Sequence, residues 1–392
     1  MKNYDVAVIG AGPVGSTFAR CIADKGFNVV MFERKREIGV PLQCAGLLGK
    51  KIKDLNILPD EYILNEVSGA YLHSPSDNIL KVSRKDPEAY VIDRVGYDKF
   101  LAEQAVASGV ELLLNHKVSG LDINTGEIRV KNIDKSFNAE VIIGADGHAS
   151  SVSEIFNPKS KSVMAAQYLL DIGKDGFDTD NVHLYANANI SPGFLWIIPV
   201  SKFMARIGLF ANMDYNGLNR VLKDFMSHNF NFNKNVSILK KYHGYIPIYD
   251  SKKDIVKDRT ILLGDAASQV KPTTGGGLMI GFECAKMASN TVSKALEMKD
   301  CSILKEYENI HRKRFKGELK VQLEVQKIFE SLTNEDLDQM FLKLKERNAE
   351  ELISEYGNMD TQSTLVKEMI KNGLLFSILP TLLTRRIGSL WK

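Results

Sequence analysis

The apolar run Val6-Ala7-Val8-Ile9 stops abruptly at Gly10-x-Gly12-x-x-Gly15, and no other feature of the chain restricts its fold as much. Glycines at this spacing also arise by chance, so their context decides their weight. Residues 4–9 are patterned as a buried strand. Pro13 to Lys25 reads as a helix opened by the glycines, and Asn28 to Phe32 as a second short strand ending at the acidic Glu33. Strand, glycine turn, helix, strand and a terminal carboxylate together spell a dinucleotide-binding βαβ unit. In such a unit Gly10 permits the tight turn and Gly12 lets backbone N–H groups approach a pyrophosphate. Gly15 lets the helix pack closely on the strand, and the helix N-terminus faces the phosphates with partial positive charge. Glu33 suits ribose hydroxyls and disfavours a 2′-phosphate. The competing interpretation is a glycine turn that holds no ligand.

A second constellation lies far along the chain. Gly264-Asp265-Ala266-Ala267 follows the buried run Asp258 to Leu263, and Pro272-Thr273-Thr274-Gly275-Gly276-Gly277-Leu278 precedes an amphipathic helix expected over 277–297. A carboxylate at the end of a buried strand needs polar partners, because an unpaired buried charge is costly. The hydroxyls of a flavin's ribityl chain would supply them, and the helix N-terminus after the glycines suits the electron-rich pyrimidine edge of a reduced isoalloxazine. Separately, each half is also compatible with a structural turn and a helix cap.

Between these motifs the pattern changes. Residues 67–72, 79–83 and 90–92 read as short strands, Tyr97 to Ser108 as a helix, Val110 to Leu114 as a strand, and 117–143 as a meander turning at Asn124-Thr125-Gly126. The stretch 160–250 is strand-like and aromatic with one helix near 215–228. Beyond 303 the text is helical and charged up to an apolar tail, Ile370 to Trp391, broken by Pro380 and Arg385-Arg386. That tail is too interrupted to cross a bilayer; it could lie on one or fold back on the protein. At 392 residues two lobes are expected. A net charge of +3, from 51 basic and 48 acidic residues without a long basic block, argues against nucleic acid. The four cysteines form no CxxC pair and, with the seven histidines, no metal-ligand spacing. With no targeting segment before the first strand, a cytoplasmic enzyme is expected, peripheral at a membrane if the tail lies there.

Gly10-x-Gly12-x-x-Gly15, Gly144-Ala145-Asp146-Gly147 and Gly264-Asp265-Ala266-Ala267 occur in the order and approximate spacing of the FAD-containing aromatic hydroxylase superfamily. Within it the chain most resembles the geranylgeranyl reductase family, in particular the archaeal digeranylgeranylglycerophospholipid reductases. Pro41-Leu42-Gln43-Cys44-Ala45-Gly46 resembles that family's Cys-x-Gly segment. Pro192 to Pro199 resembles its PxxYxWxFP element, and Pro272 to Gly277 its proline and triple glycine. The resemblance covers about residues 1–330. It departs at Phe194, where the family usually has Tyr, and at Ile198, where it usually has Phe.

The resemblance implies an α/β fold: a Rossmann-like FAD-binding domain built from discontinuous segments (1–66, 94–150 and 256–330), an inserted antiparallel β-rich substrate domain (67–93 and 151–255) and a helical C-terminal region (331–392). It implies FAD contacts at Gly15, Glu33, Cys44, Ala45, Leu47, Arg94, Val118 near the adenine, Asp265, Gly277 and Leu278, with Asp146 contributing indirectly. Arg94 has a physical case of its own as a fork donor to phosphate or ribityl oxygens, with an ion pair to Asp93 or Asp98 as the alternative. Cys44 is the candidate catalytic residue, as a proton donor or through a transient disulfide with Cys301, and simple packing is its alternative. Phe194, Trp196 and Pro199 would line an apolar channel for an isoprenoid chain, or else form an aromatic strand core.

The implied reaction is saturation of geranylgeranyl double bonds in archaeal membrane ether lipids. The flavin would be reduced by NAD(P)H or a ferredoxin-like protein, which basic runs such as Lys50-Lys51-x-Lys53 could meet. Two alternatives stay open. One is a flavin monooxygenase acting on an aromatic or apolar small molecule, and the other is a non-catalytic flavin-binding lipid carrier.

Overall fold

The computed structural model describes residues 2–173, 176–230 and 236–374. Its first sheet has a parallel core, in spatial order β18 (Thr260–Leu262), β11 (Ser136–Gly144), β1 (Lys2–Ile9), β2 (Val29–Phe32) and β8 (Glu111–Leu113). Antiparallel additions are β17 (Val256–Lys257) on β18 and the hairpin β9 (Val118–Leu121) with β10 (Glu127–Val130) on β11. Every residue of β2, and Val6 to Ile9 of β1, is buried. Continuous apolar runs of this kind belong to parallel strands covered on both faces. The helices α1 (Pro13–Ala23), α3 (Arg94–Ala107) and α5 (Leu278–Met298) pack together, α1 touching both of the others, and the short α2 (Ile52–Leu55) also touches α5.

The second sheet has seven strands: β16 (Ser237–Pro247), β12 (Ser162–Asp171), β15 (Met204–Ala211), β14 (Leu195–Ser201), β13 (Asn181–Tyr185), β5 (Gly69–His73) and β6 (Ile79–Ser83). Its period-two pattern separates two apolar layers. Tyr168, Leu170, Leu195, Ile197, Ile207 and Leu209 pack with Leu218, Leu222 and Met226 of α4 (Tyr215–Asn229). Burying each of those three α4 side chains is worth about 1.5–3 kcal/mol. The alternate residues Val163, Trp196, Ile198, Val200 and Phe210 point the other way, onto Val67, Ala89 and Val91. These belong to a small third sheet of β3 (Leu47–Gly49), β7 (Ala89–Ile92) and β4 (Ile63–Val67). The inserted sheet is antiparallel except where β13 runs parallel to β5. No hairpin connects those two strands, so the chain between them is long enough for a parallel return.

At the C-terminal side α6 (Lys305–Glu330) leads to α7 (Asn334–Glu346), α8 (Ala349–Tyr356) and α9 (Ser363–Lys371). Thr333 and Asp336 form a reciprocal capping box at α7, which fixes its start. Leu337, Met340, Phe341 and Leu344 of α7 cover Leu80 of β6. Among the described residues no helix is long and apolar enough to cross a membrane. The apolar tail expected to lie on a membrane or the protein surface falls, from residue 375 onward, outside the described residues.

Candidate functional site

The glycine turn does what its spacing requires. Gly10 sits at φ +106°, and a Cβ there would lie 2.3 Å from the Ala145 carbonyl oxygen; one on Gly15 would lie 2.1 Å from the Gly10 carbonyl oxygen. These glycines let β1, α1 and the Gly144–Gly147 segment converge. Gly12, by contrast, has open space where its side chain would be, and it caps α1 without any side-chain hydrogen bond. The first-turn amides of α1 are therefore free to meet a ligand. Glu33 accepts from the N–H groups of Ala11 at 3.0 Å and Lys35 at 2.9 Å, which fixes its carboxylate beside the turn. The carboxylate keeps lone-pair capacity for two hydroxyls. The His116 backbone N–H donates to the Glu33 main-chain carbonyl, so the segment that enters β9 at Val118 passes next to the backbone of Glu33.

At the same end of the parallel sheet, where a Cβ on Gly281 would lie 2.5 Å from Val14 of α1, α5 starts after Gly277, also without a side-chain cap. A Cβ on Gly277 would lie 3.4 Å from Asp265 Oδ1, so the carboxylate and the helix start are neighbours. No group among the described residues donates a hydrogen bond to the Asp265 carboxylate. Burial pushes it up to about 6, with Arg94 pulling the opposite way. Arg94 is buried and pairs bidentately with Asp98, Nε to Oδ1 and Nη2 to Oδ2 both at 2.9 Å. Burial opposes its charge, and Asp98 together with the Cys44 sulfur holds the charge on. The ion-pair alternative is thus realised with Asp98, but inside the protein. Asp93 instead caps α3 through the N–H of Val95.

The Cys44 loop lies across the second sheet and is held one carbonyl at a time. Gln167 Nε2 donates to Cys44 O at 3.4 Å, Arg206 Nη1 to Ala45 O at 2.7 Å, and the Ile92 N–H to Gly46 O at 2.8 Å. The Gly46 N–H points back at Cys44 Sγ, 3.4 Å away. Arg206 also donates to Ile92 O at 3.1 Å, and burial lowers its pKa. Gln167 accepts from Trp196 Nε1 at 3.1 Å, so the indole nitrogen is satisfied. Gln167, Gly208 and Trp196 form one cross-strand row, Gln167 opposite Gly208 and Gly208 opposite Trp196. A Cβ on Gly208 would sit 2.5 Å from the Trp196 ring. Gly208→Ala should therefore displace the indole and destabilise the sheet by about 1–3 kcal/mol. A lower melting temperature with shifted tryptophan emission checks this; wild-type values of both would contradict it.

Neither Arg206 nor Gln167 was expected to matter from sequence. The only signal is their place, polar residues in step with Trp196 and Phe210 on an otherwise apolar strand face. Other expected residues are engaged elsewhere. Asp146 accepts from the hydroxyl of Ser150 at 2.5 Å and the N–H of Ser151 at 2.8 Å, so its carboxylate shapes its own turn. Leu278 lies in a separate apolar cluster with Leu48 and Phe282. Pro199 gives its carbonyl to Asn65. Cys301 donates to Glu140 O beside the parallel sheet, while Cys44 lies against Arg94. All four cysteines are free thiols, so the Cys44–Cys301 disulfide is not formed. Lys50 and Lys53 pair with Glu88 and Asp60, which neutralises most of the basic run proposed to meet an acidic partner.

The Thi4 family matches residues 1–181. An uncharacterized protein of Methanocaldococcus jannaschii is 32% identical over 399 residues, spanning 97% of this chain and 99% of its own. Digeranylgeranylglycerophospholipid reductase 1 of Methanococcoides burtonii is 32% identical over 88% of this chain and 89% of the relative. The chain belongs to the geranylgeranyl reductase family. A solved geranylgeranyl bacteriochlorophyll reductase-like protein of Thermoplasma acidophilum shares its fold with a TM-score of 0.81, covering 95% of this chain and 100% of that one at 24% identity. The flavin-dependent halogenase CmlS is more distant, with a TM-score of 0.63 over 81% of this chain and 63% of that one at 18% identity. Where members of the geranylgeranyl reductase family usually carry a tyrosine, Phe194 meets Trp196 and Phe210 edge to face, at centroid distances of 6.0 and 5.2 Å. At the family's usual phenylalanine, Ile198 is buried in the same cluster.

Proposed function

We propose that this chain binds FAD and saturates carbon–carbon double bonds of geranylgeranyl chains, those of archaeal membrane ether lipids being the substrates that its named relatives favour. The observation that carries the proposal is a juxtaposition. An unpartnered carboxylate, Asp265, stands beside an uncapped helix start, and the adjoining Cys44 loop is bonded directly onto the strand face that carries Trp196. The site therefore has polar groups in need of a polyol and, next to them, an apolar wall.

On this reading residues 1–66, 94–150 and 256–330 hold the cofactor and residues 67–93 with 151–255 hold the substrate. Gly10, Gly12 and Gly15 would receive the pyrophosphate, and Glu33 the adenosine ribose, with Val118 near the adenine. Asp265, Gly277 and, through its backbone N–H at the start of α5, Leu278 would hold the ribityl and ring end, Cys44, Ala45 and Leu47 the opposite side, and Asp146 would act through its loop. Arg94 spends two of its five N–H donors on Asp98, which leaves it able to act on the Cys44 sulfur beside it and on Asp265 through its charge. Reduced FAD supplies hydride equivalents when bound. An isolated alkene has no carbonyl to accept charge, so the protein must provide a proton and keep water out. Cys44, whose thiol the Gly46 N–H and Arg94 orient, is the proton donor we assign. Phe194, Trp196 and the Pro199 strand segment would hold the prenyl chain. The reductant would be NAD(P)H or a ferredoxin-like protein, and the membrane contact peripheral.

The test is anaerobic. Purified protein is reduced with dithionite, geranylgeranyl lipids are added, and flavin reoxidation is followed together with product mass. Reoxidation with a gain of two hydrogens per double bond is expected. A flavin that stays reduced with every prenyl lipid, yet reacts productively with oxygen and an aromatic compound, would sink the proposal in favour of a monooxygenase.

A further inference from the structure

The segment between α8 and α9 lies against the candidate site rather than on the surface. Lys271, only 4% exposed and just before the triple glycine, donates to Asp360 Oδ1 at 2.9 Å and to Met359 O at 2.7 Å. Gln362 Nε2 donates to Thr273 Oγ1 at 2.8 Å. From α6, Gln322 donates to Asp360 O at 3.3 Å, and Glu318 accepts from the N–H groups of Gln362 at 2.5 Å and Ser363 at 3.3 Å. On the opposite side, a Cβ on Gly49 would lie 2.4 Å from Asp360 Oδ2 and 3.5 Å from Met359 Cγ. The strap is thus inserted between β3 and the glycine-rich segment. Its one long apolar side chain, Met359, packs against the cluster of Trp196, Phe210 and Val91. A small cleft lined by Phe210, Ile246, Lys271 and Gly275 opens beside it.

A surface connection needs none of this. Lys271 and Asp360 are taken out of water, and such a pair contributes little net stability once desolvation is counted. What the pair does is fix the position of one residue. Resting on the proposed function, we infer that Met359 sets the length of prenyl chain the enzyme accepts, as the end stop of its apolar chamber, with Lys271–Asp360 as the latch that holds the stop in place. An unbranched thioether suits that position because it conforms to whatever packs against it.

The test uses the holoenzyme and prenyl alcohols of 15, 20 and 25 carbons, comparing kcat/KM among them. Met359→Ala should raise the ratio for 25 over 20 carbons by about tenfold, the discrimination a few methylenes of pocket space provide. Met359→Val should fall between this and the wild type, which keeps the test intact if the alanine variant folds poorly. Met359→Trp should shift the preference toward 15 carbons, and Asp360→Asn should flatten the length profile. Flavin absorbance is recorded for each variant. Unchanged length ratios in Met359→Val, Met359→Ala and Met359→Trp, with a wild type that reduces these chains, would overturn the inference alone. A wild type that reduces no chain of any length removes the substrate assignment and the inference with it.

Discussion

Arg94→Met is expected to cost about 3–5 kcal/mol of stability, because it leaves the Asp98 carboxylate buried without its two donors. Single domains are stable by about 5–15 kcal/mol, so a loss of this size puts much of the purified variant near its folding threshold. The double variant Arg94→Met/Asp98→Leu should recover most of that loss, since an apolar pair of similar volume carries no stranded charge. The comparison separates two roles. If Arg94 serves only α3, the double variant regains both its melting temperature and its flavin. If its charge also serves the site, the double variant melts near the wild type but purifies with little flavin, because nothing then offsets the Asp265 carboxylate. We expect the second result. Thermal melts and the ratio of flavin to protein absorbance decide it, and a double variant with full flavin would show that Arg94 is structural only.

That pair illustrates what a sequence can and cannot convey here. The four-residue spacing of Arg94 and Asp98 is visible as a helical contact, but its burial depends on α1 and α5 packing around it, and on the Cys44 loop arriving from elsewhere. The parallel core was readable because its strands are unbroken apolar runs, and the glycines announced themselves by spacing. The second sheet was readable as strands from its alternation. Its link to the Cys44 loop was not, because Gln167, Gly208 and Arg206 come together under that loop and Trp196 only when β12, β15 and β14 stand in register. Of the third sheet only β7 was readable, as the strand expected at 90–92; β3 is three residues long and pairs with β7 far along the chain. The strap is the extreme case. Lys271 and Asp360 show no pattern that links them, and only the route of the chain through α6, α7 and α8 brings them together.

Asp265→Asn should make the ligand-free protein more stable at pH 7.5 while weakening its hold on flavin. Aspartate in an unfolded chain titrates near 3.8, and burial moves Asp265 up to about 6 in the fold. Between these values the folded chain keeps a proton that the unfolded chain has released, so stability falls as pH rises through this window and is regained on acidification. The gap between the two titration points corresponds to about 1.4 kcal/mol per pH unit, which makes the full penalty above pH 6 about 3 kcal/mol. Asparagine has nearly the same shape and no charge, so it escapes most of that penalty and its stability should lack this pH dependence. A site that is unfavourable for the empty protein and favourable for the loaded one is what a ligand-completed carboxylate requires. Urea unfolding of flavin-free protein at pH 5 and 7.5 measures the first half, and flavin titration the second. An asparagine variant that is less stable than the wild type at pH 7.5 without flavin would mean that Asp265 is paired inside the protein after all, and that its partner is not the cofactor.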